Sequence, residues 1–291
     1  MNIMSLIDYL KKAIKKSGYP LEIEISSLLR ARWPIWSVLH QESFLDEDEM
    51  KTRHIDLSVL CSFDLRKLEP WLFIPELDIE CKKSESFAWI FFTVRTEYEP
   101  LECIDGQYLD ELQICLKDAE ITNLRDLVLR ENLHYHRFER FAITFDEFHL
   151  KGKKKEYDRG KKEIFEAQKQ LEKFIAYAKE RYIGGKPVSD LKRIFVYFPC
   201  IVFDGRMFEA IVENGNLDLR KCNHIVLFTQ HIHHYSHSYQ NFLIDIVHRS
   251  YFDQYLKEIE RDIKSLAEII AKNRRKLLNV LKASGCSESG K

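Results

Sequence analysis

Three charged residues interrupt apolar segments in the first third of the chain. Asp56 lies between Ile55 and Leu57, while Glu80 and Lys82 lie at the end of a later apolar segment. Successive side chains of a strand alternate between its faces, so Glu80 and Lys82 should share one face. A charge within an apolar strand is costly unless it is paired or binds a metal ion. The pattern therefore indicates a site in which Asp56, Glu80 and Lys82 pair with each other or bind a metal ion.

Two carboxylates on adjacent strands beside a lysine are suited to metal-dependent hydrolysis. Asp56 and Glu80 offer hard oxygen ligands for Mg²⁺ or Mn²⁺, and the carbonyl of Cys81 could add another. Lys82 would orient a metal-bound water or help to deprotonate it, and the ion would offset charge on an attacked phosphate. In the alternative interpretation, Glu80 and Lys82 form an ion pair at a strand end, and Asp56 accepts a hydrogen bond from a backbone amide.

The spacing of these residues resembles the signature of the PD-(D/E)XK nuclease superfamily. Asp56 is followed 24 residues later by Glu80-Cys81-Lys82. The longer strings are similar to uncharacterised microbial members and to the cleavage domains of restriction enzymes that attack modified DNA. These strings are Gly18-Tyr-Pro-Leu-Glu22, Arg53-His-Ile-Asp56 and Ile79-Glu-Cys-Lys-Lys-Ser84. One departure is Ile55, which stands where many members carry proline.

The resemblance implies both a fold and a set of catalytic residues. The catalytic residues would be Glu22, Asp56, Glu80 and Lys82, and the metal ligands would be Asp56, Glu80 and the Cys81 carbonyl. Glu24 is a rival to Glu22, and two residues along a helix differ by about 200°, so only one can face the site. The implied fold is an α/β restriction endonuclease-like core of order αβββαβ. The resemblance covers residues 18–95 and 160–205.

The hydrophobic periodicity independently predicts an α/β fold with a mixed sheet flanked by helices. Helices are predicted at 3–16, from about 21 to Arg32 or Trp33, and at 108–131, 163–183 and 251–281. Strands are predicted at 35–39, 54–63, 71–81, 87–95, 141–146, 193–203, 207–212, 224–229 and 242–248. We expect one nuclease domain at 1–250 with an insertion at about 101–160. Residues 251–291 should form a long helix and a frayed tail packed on that domain.

Composition narrows the class of protein. The chain has 291 residues, 45% of them hydrophobic and 31% charged, with a net charge of -1, which indicates a globular protein and excludes a histone-like polycation. The seven cysteines show no zinc-binding spacing. Without a signal peptide, free thiols in a reducing cytoplasm are the simplest expectation. No apolar segment is long enough to span a membrane, so no membrane association is expected.

Several other residues have both a functional and a structural interpretation. The basic segment 151–162 either contacts a phosphate backbone or is a solvated loop. Gln168 could approach the metal site, although packing or solvent contact is preferred. The histidines are interpreted as hydrogen-bonded surface residues rather than metal ligands, because their ligand set is incomplete. These histidines are His134, His136, His231, His233, His234 and His237.

The expected function is a Mg²⁺- or Mn²⁺-dependent nuclease that hydrolyses DNA, in restriction, phage defence or repair. A nuclease that acts on RNA or on branched DNA is a further, less favoured possibility; no RNA-specific aromatic motif is present, and the type of substrate stays open. The alternative is an inactive nuclease-fold module that binds nucleic acid or a protein. No helix-turn-helix or zinc finger is visible, so a homodimer or a partner protein could supply target recognition.

Overall fold

A computed structural model describes residues 3–32, 36–46, 48–61, 71–96, 134–149, 163–184, 192–232 and 239–283. These ranges form an α/β fold with four α-helices and a mixed sheet of eight strands. The helices are α1 (Ile3–Lys16), α2 (Tyr19–Arg32), α3 (Glu163–Gly184) and α4 (Phe252–Ala283). The strands are β1 (Trp36–Asp46), β2 (Lys51–Cys61), β3 (Trp71–Arg95), β4 (Arg140–His149), β5 (Lys192–Glu213), β6 (Asn216–Lys221), β7 (His224–Ile232) and β8 (Tyr239–His248).

The first three strands form an antiparallel meander, in which β2 pairs with both β1 and β3. The predicted strands at 71–81 and 87–95 were wrong as separate elements, because β3 is continuous from 71 to 95. The polar residues between the two apolar parts stay extended, and the pairing with β5 shifts register between Lys83 and Ala88. A local register shift lets a strand bend without ending. The predictions at 193–203 and 207–212 fail for the same reason, since β5 covers both.

Strand β6 was missed by the sequence analysis because all six of its residues are exposed and give no apolar alternation. It forms a hairpin with β5 through Asn214 and Gly215, whose φ angles are 50° and 78°. Positive φ at both central positions is typical of the tight turns that match the twist of a hairpin. The Asn-Gly pair was therefore the one available sequence signal for this strand.

Strand β5 is parallel to β3 and follows α3 along the chain. On its other side β5 pairs in parallel with β8, which pairs antiparallel with β7. A single parallel bridge between Ala142 and Leu227 joins β7 to β4, and β4 pairs with β3. The pairings thus close a ring of five strands: β3, β4, β7, β8 and β5.

Two apolar cores lie on opposite faces of β3. Leu77, Ile79 and Cys81 belong to the core that includes α2 and α4. Trp89 and Phe91 belong to the core that includes the buried face of α3. The apolar stripe of α4 packs against the sheet of the same chain, from Phe252 through Ile270. Alternation along β3 therefore leaves Glu76, Asp78 and Glu80 on the face towards α3.

The expected helices at 3–16, 163–183 and 251–281 match α1, α3 and α4 within three residues. The second helix ends at Arg32, as the following proline predicts. The expected helix at 108–131, the basic segment 151–162 and the tail after 283 lie outside the described residues. The division into a domain at 1–250 and a C-terminal segment stays a prediction. In the part of the chain that is described, no helix is long and apolar enough to cross a membrane.

Candidate functional site

Asp56 and Glu80 are brought together by the pairing of β2 with β3. Leu57 pairs with Ile79, and antiparallel register then places Asp56 beside Glu80. The backbone N–H of Cys81 donates a hydrogen bond of 2.7 Å to Asp56 Oδ2. This bond orients the Asp56 carboxylate across the two strands. It is also the contact that the ion-pair alternative for these residues requires.

Glu80 is fully buried, and both of its carboxylate oxygens have partners. Lys82 Nζ donates to Oε2 at 2.6 Å, and Gln170 Nε2 on α3 donates to Oε1 at 2.8 Å. The pKa of Glu80 is raised to about 7, and burial is the largest cause. The positive charge of Lys82 opposes this rise, whereas the negative charge of Asp56 adds to it. Glu80 is therefore a carboxyl group that changes protonation state near neutral pH.

Lys82 remains a cation at this site. Burial lowers its pKa, but the charges of Glu80 and Asp56 raise it by more, so the pKa of Lys82 lies above its usual value. Burial raises the pKa of Asp56, and the nearby Lys82 and the Cys81 amide oppose that shift. A protonated Lys82 orients or stabilises charge rather than accepting a proton.

The two glutamates of α2 have different surroundings. Glu24 forms an ion pair with Arg249, with an Oε1–Nε distance of 2.7 Å. Glu22 interacts electrostatically with the residues of the site. Burial and then the Asp56 carboxylate raise the pKa of Glu22. The Lys82 charge and a hydrogen bond from Gln41 lower this pKa by less. The structure thus places Glu22, and not Glu24, towards the candidate site.

Two glutamines at the site were missed by the sequence analysis. Gln170 of α3 reaches Glu80 and also donates to the backbone carbonyl of His54. Gln41 of β1 has a φ angle of 50° and lies between the pairs His40–Leu57 and Glu42–Ile55, opposite Asp56. Gln168 is buried and turns to Thr229 and Glu172, as the preferred expectation of packing had it, and not to the metal site. Gln168 and Gln170 lie about 200° apart around the helix axis, so only one of them can face the site. No local sequence signal indicates which one does.

Two more acidic residues precede Glu80 on the same face of β3. Glu76 accepts a hydrogen bond of 2.9 Å from Ser58, and Asp78 is fully buried. Burial, then the neighbouring Glu76 and Glu42, raise the pKa of Asp78 well above its usual value. The ionised form of the Asp78 carboxyl is therefore disfavoured at this buried position.

The donor atoms at the site suit a hard divalent cation. Asp56 and Glu80 supply carboxylate oxygens, and Mg²⁺ commonly binds one or two carboxylates while it keeps several waters. Within the described ranges, no group of three or more His, Cys, Asp or Glu side chains is arranged to hold a metal ion. An ion held here would compete with Lys82 for Glu80 Oε2. The Cys81 carbonyl as a ligand stays a prediction.

A separate buried cluster surrounds His134, on the α4 side of the sheet. His134 is fully buried, so its interpretation as a surface residue was wrong. Asp262 accepts hydrogen bonds from the His134 backbone N–H, at 2.7 Å, and from its Nδ1. Nε2 of His134 lies 3.1 Å from Asp245 Oδ2. Tyr135 and Tyr255 each donate to the same oxygen at 3.0 Å. Of the other histidines, 233, 234 and 237 lie outside the described residues.

The chain matches no family model, no curated protein and no solved structure.

Proposed function

We propose that the protein is a metal-dependent nuclease that hydrolyses phosphodiester bonds of DNA. The observation that carries this proposal is that Asp56, Glu80 and Lys82 meet where β2 pairs with β3. Asp56 precedes Glu80 by 24 residues, and Lys82 follows Glu80 by two. A buried carboxyl with a pKa of about 7 beside a lysine is also typical of functional sites.

The order of elements supports a restriction endonuclease-like core. The chain runs from α2 through the meander β1–β2–β3 and later through α3 into β5, which lies parallel to β3. This is the αβββαβ order that the sequence resemblance implies, with β4 as an addition between β3 and α3. In that arrangement Glu22 approaches from α2 and Gln170 from α3. Both core helices would thus contribute to the site.

The metal ligands would be Asp56, Glu80 and the carbonyl of Cys81. A bound Mg²⁺ or Mn²⁺ supplies a water of lowered pKa and neutralises charge on the phosphate. Lys82, held positive by its neighbours, would attract the phosphate and orient the attacking water. Gln170 would act as a positioning residue, because its amide fixes one oxygen of Glu80. Glu22 would contribute a further carboxylate at the edge of the site.

One observation favours the second candidate function, an inactive module that binds nucleic acid or a protein. Lys82 and Gln170 occupy both oxygens of Glu80 without any ion, so the hydrogen bonding of this carboxyl is complete within the chain. In that case Asp56, Glu80 and Lys82 would have a structural role alone. A homodimer or a partner protein for target recognition stays a prediction under either function.

Plasmid cleavage tests the proposal. Purified full-length protein would be incubated with supercoiled DNA in Mg²⁺, Mn²⁺ or EDTA, beside Asp56→Asn, Lys82→Ala and Glu22→Gln. We expect metal-dependent nicking that each substitution reduces by about 100-fold or more, since one electrostatic group typically supplies that factor. Glu24→Gln is the matched control on the same helix and should cut at the wild-type rate. Wild-type cleavage by Asp56→Asn would overturn the assignment of the site.

Metal binding provides a test that does not depend on finding the right DNA. Mg²⁺ should raise the melting temperature of the wild-type protein by mass action, and the shift should vanish in Asp56→Asn. An unchanged melting temperature over a full Mg²⁺ titration, together with no cleavage, would favour the binding module.

A further inference from the structure

A cavity of about 480 Å³ lies between β4, β7 and the first turns of α3, outside the candidate nuclease site. It begins next to the single bridge between Ala142 and Leu227, the only pairing recorded between the described parts of β4 and β7. Residues 143–147 of β4 and 227–229 of β7 line it, with Phe165 and Gln168 of α3. This volume lies within the range of small-molecule sites in proteins.

The apolar part of the lining consists of aromatic rings. Phe145, Phe165 and Phe228 come from three different elements and are each only partly buried. The ammonium group of Lys169 lies 4.3 Å from the centroid of the Phe165 ring. The flat apolar surface of the three aromatic residues favours a planar ligand. Nucleobases stack favourably on such rings, whichever base is bound.

The polar part of the lining presents hydrogen-bond acceptors. Glu147 is 3% exposed; its Oε1 accepts from the Ile164 N–H at 2.9 Å, whereas its Oε2 is buried without a partner in the described part of the chain. Gln168 directs its amide nitrogen to Glu172 and to Thr229, at 2.9 and 2.6 Å. That orientation leaves the amide oxygen of Gln168 as the atom available to a ligand.

A second buried atom without a partner lies beside Glu147. Trp89 pairs with Glu147 across β3 and β4, so the two side chains stand on the same face. Trp89 is fully buried, and its Nε1 has no hydrogen-bond partner among the described residues. An unsatisfied donor and an unsatisfied acceptor at one register position are unusual in a folded protein. Trp89 does not line the cavity, so of these two atoms only the Glu147 oxygen bears on a ligand bound there.

We propose that this cavity binds a nucleobase, stacked on the phenylalanine rings and hydrogen-bonded through an N–H edge to Glu147 and Gln168. Burial raises the pKa of Glu147 to about 7, so near neutral pH its Oε2 donates when protonated and accepts when ionised, while the amide oxygen of Gln168 accepts. That pattern complements the adjacent N–H and C=O groups of bases such as guanine and thymine. Asp146 at the lining disfavours an anionic phosphate inside the cavity.

The base can come from a free nucleoside or from an extruded residue of a nucleic acid. The proposal does not require the nuclease activity, because α3 directs Gln168 to the cavity and Gln170 to Glu80 on a different side of the helix. If the proposed function holds as well, α3 connects base binding to the site of cleavage.

Binding would be measured in EDTA with the full-length protein, by calorimetry and ligand-observed NMR. The probes are guanosine, thymidine, cytidine, adenosine, a short single-stranded oligonucleotide and arginine amide. We expect a nucleoside or the oligonucleotide to bind, and Thr144→Phe to weaken that binding about tenfold or more by filling the cavity. Thr144 is exposed at the lining, so the substitution should leave the fold intact. Thr52→Phe, at an exposed position of β2 outside the lining, is the matched control.

The two sources give different results. Nucleosides that bind without competition from the oligonucleotide indicate a free ligand, and oligonucleotide binding that Thr144→Phe weakens indicates an extruded base. Glu147→Gln keeps the acceptor for Ile164 but loses the acid, so it should change the preference among the four bases. Any of three results would overturn the proposal: no base binds to the wild-type protein, a base binds to Thr144→Phe as tightly as to the wild type, or arginine amide binds more tightly than every base. EDTA keeps these outcomes separate from failure of the nuclease assignment.

Discussion

Stability should fall as pH rises through the titration of His134. Both ring nitrogens of His134 face carboxylates, of Asp262 and Asp245, so the ring is held as a cation. Burial lowers its pKa, but Asp245 and Asp262 raise it by more, to about 9 from 6.5. Because the pKa of His134 is higher in the folded state, its protonation stabilises the fold fully below pH 6.5. This stabilisation is lost as the pH rises through about 9. The whole contribution corresponds to about 3 kcal/mol.

The best window for this measurement is pH 7.5 to 8.5. Glu80 and Glu147, whose pKa values are about 7, have largely ionised by then. Within this window His134 alone should lower the free energy of unfolding by about 1 kcal/mol. Tyr255 also faces Asp245, but its pKa lies well above the usual 10, so it does not ionise in this range.

Urea denaturation of the wild-type protein and His134→Gln across this window tests the reasoning. The variant should lose the pH slope and unfold more easily at every pH, by about 3–5 kcal/mol, since two buried carboxylates lose their counter-charge. Asp262→Asn serves as a second variant if His134→Gln does not fold. His54→Gln, at an exposed histidine, should keep the wild-type slope. A wild-type free energy that is flat between pH 7.5 and 8.5 would refute the argument without any variant.

Three further substitutions have expected effects on stability. Asp46→Asn should cost about 2 kcal/mol in urea denaturation, because the buried carboxylate holds Lys173 at 2.7 Å; an unchanged midpoint would contradict this. Gly205→Ala should cost about 1–3 kcal/mol, because the new methyl group would overlap the Phe203 ring, and a wild-type melting temperature would argue against that overlap. Glu147→Gln should raise the melting temperature at pH 8, where burial of the ionised carboxylate is unfavourable, and should change it less at pH 5; a shift independent of pH would contradict this sign.

The sequence predicts those features whose cause is local. Apolar periodicity places α1, α3 and α4 correctly, and alternation along β3 correctly puts Glu80 and Lys82 side by side. It does not predict that two apolar runs belong to one strand, because continuity through the polar residues around Lys83 depends on pairing with β5. It also passes over β6, whose exposed residues carry no burial pattern.

The buried polar contacts were beyond sequence reasoning for a different reason. His134 meets Asp245 and Asp262 across more than 100 residues of chain, and no spacing rule applies at that separation. The same holds for Gln170, which reaches Glu80 across 90 residues. Such contacts depend on how α3 and α4 dock on the sheet, and docking is a property of the assembled fold.

The closed ring of strands has a consequence for the order of folding. The meander β1–β2–β3 joins neighbouring segments, whereas the long pairing of β3 with β5 joins residues about 120 positions apart, such as Ile79 and Cys200. Contacts between distant segments carry a larger loop-closure entropy and slow folding. We expect Asp56 and Glu80 to come together early, in the meander, and Gln170 to reach them only when α3 and β5 dock. Ring closure would then be the slow step, and refolding rates should respond more to substitutions on β5 than to those on β1.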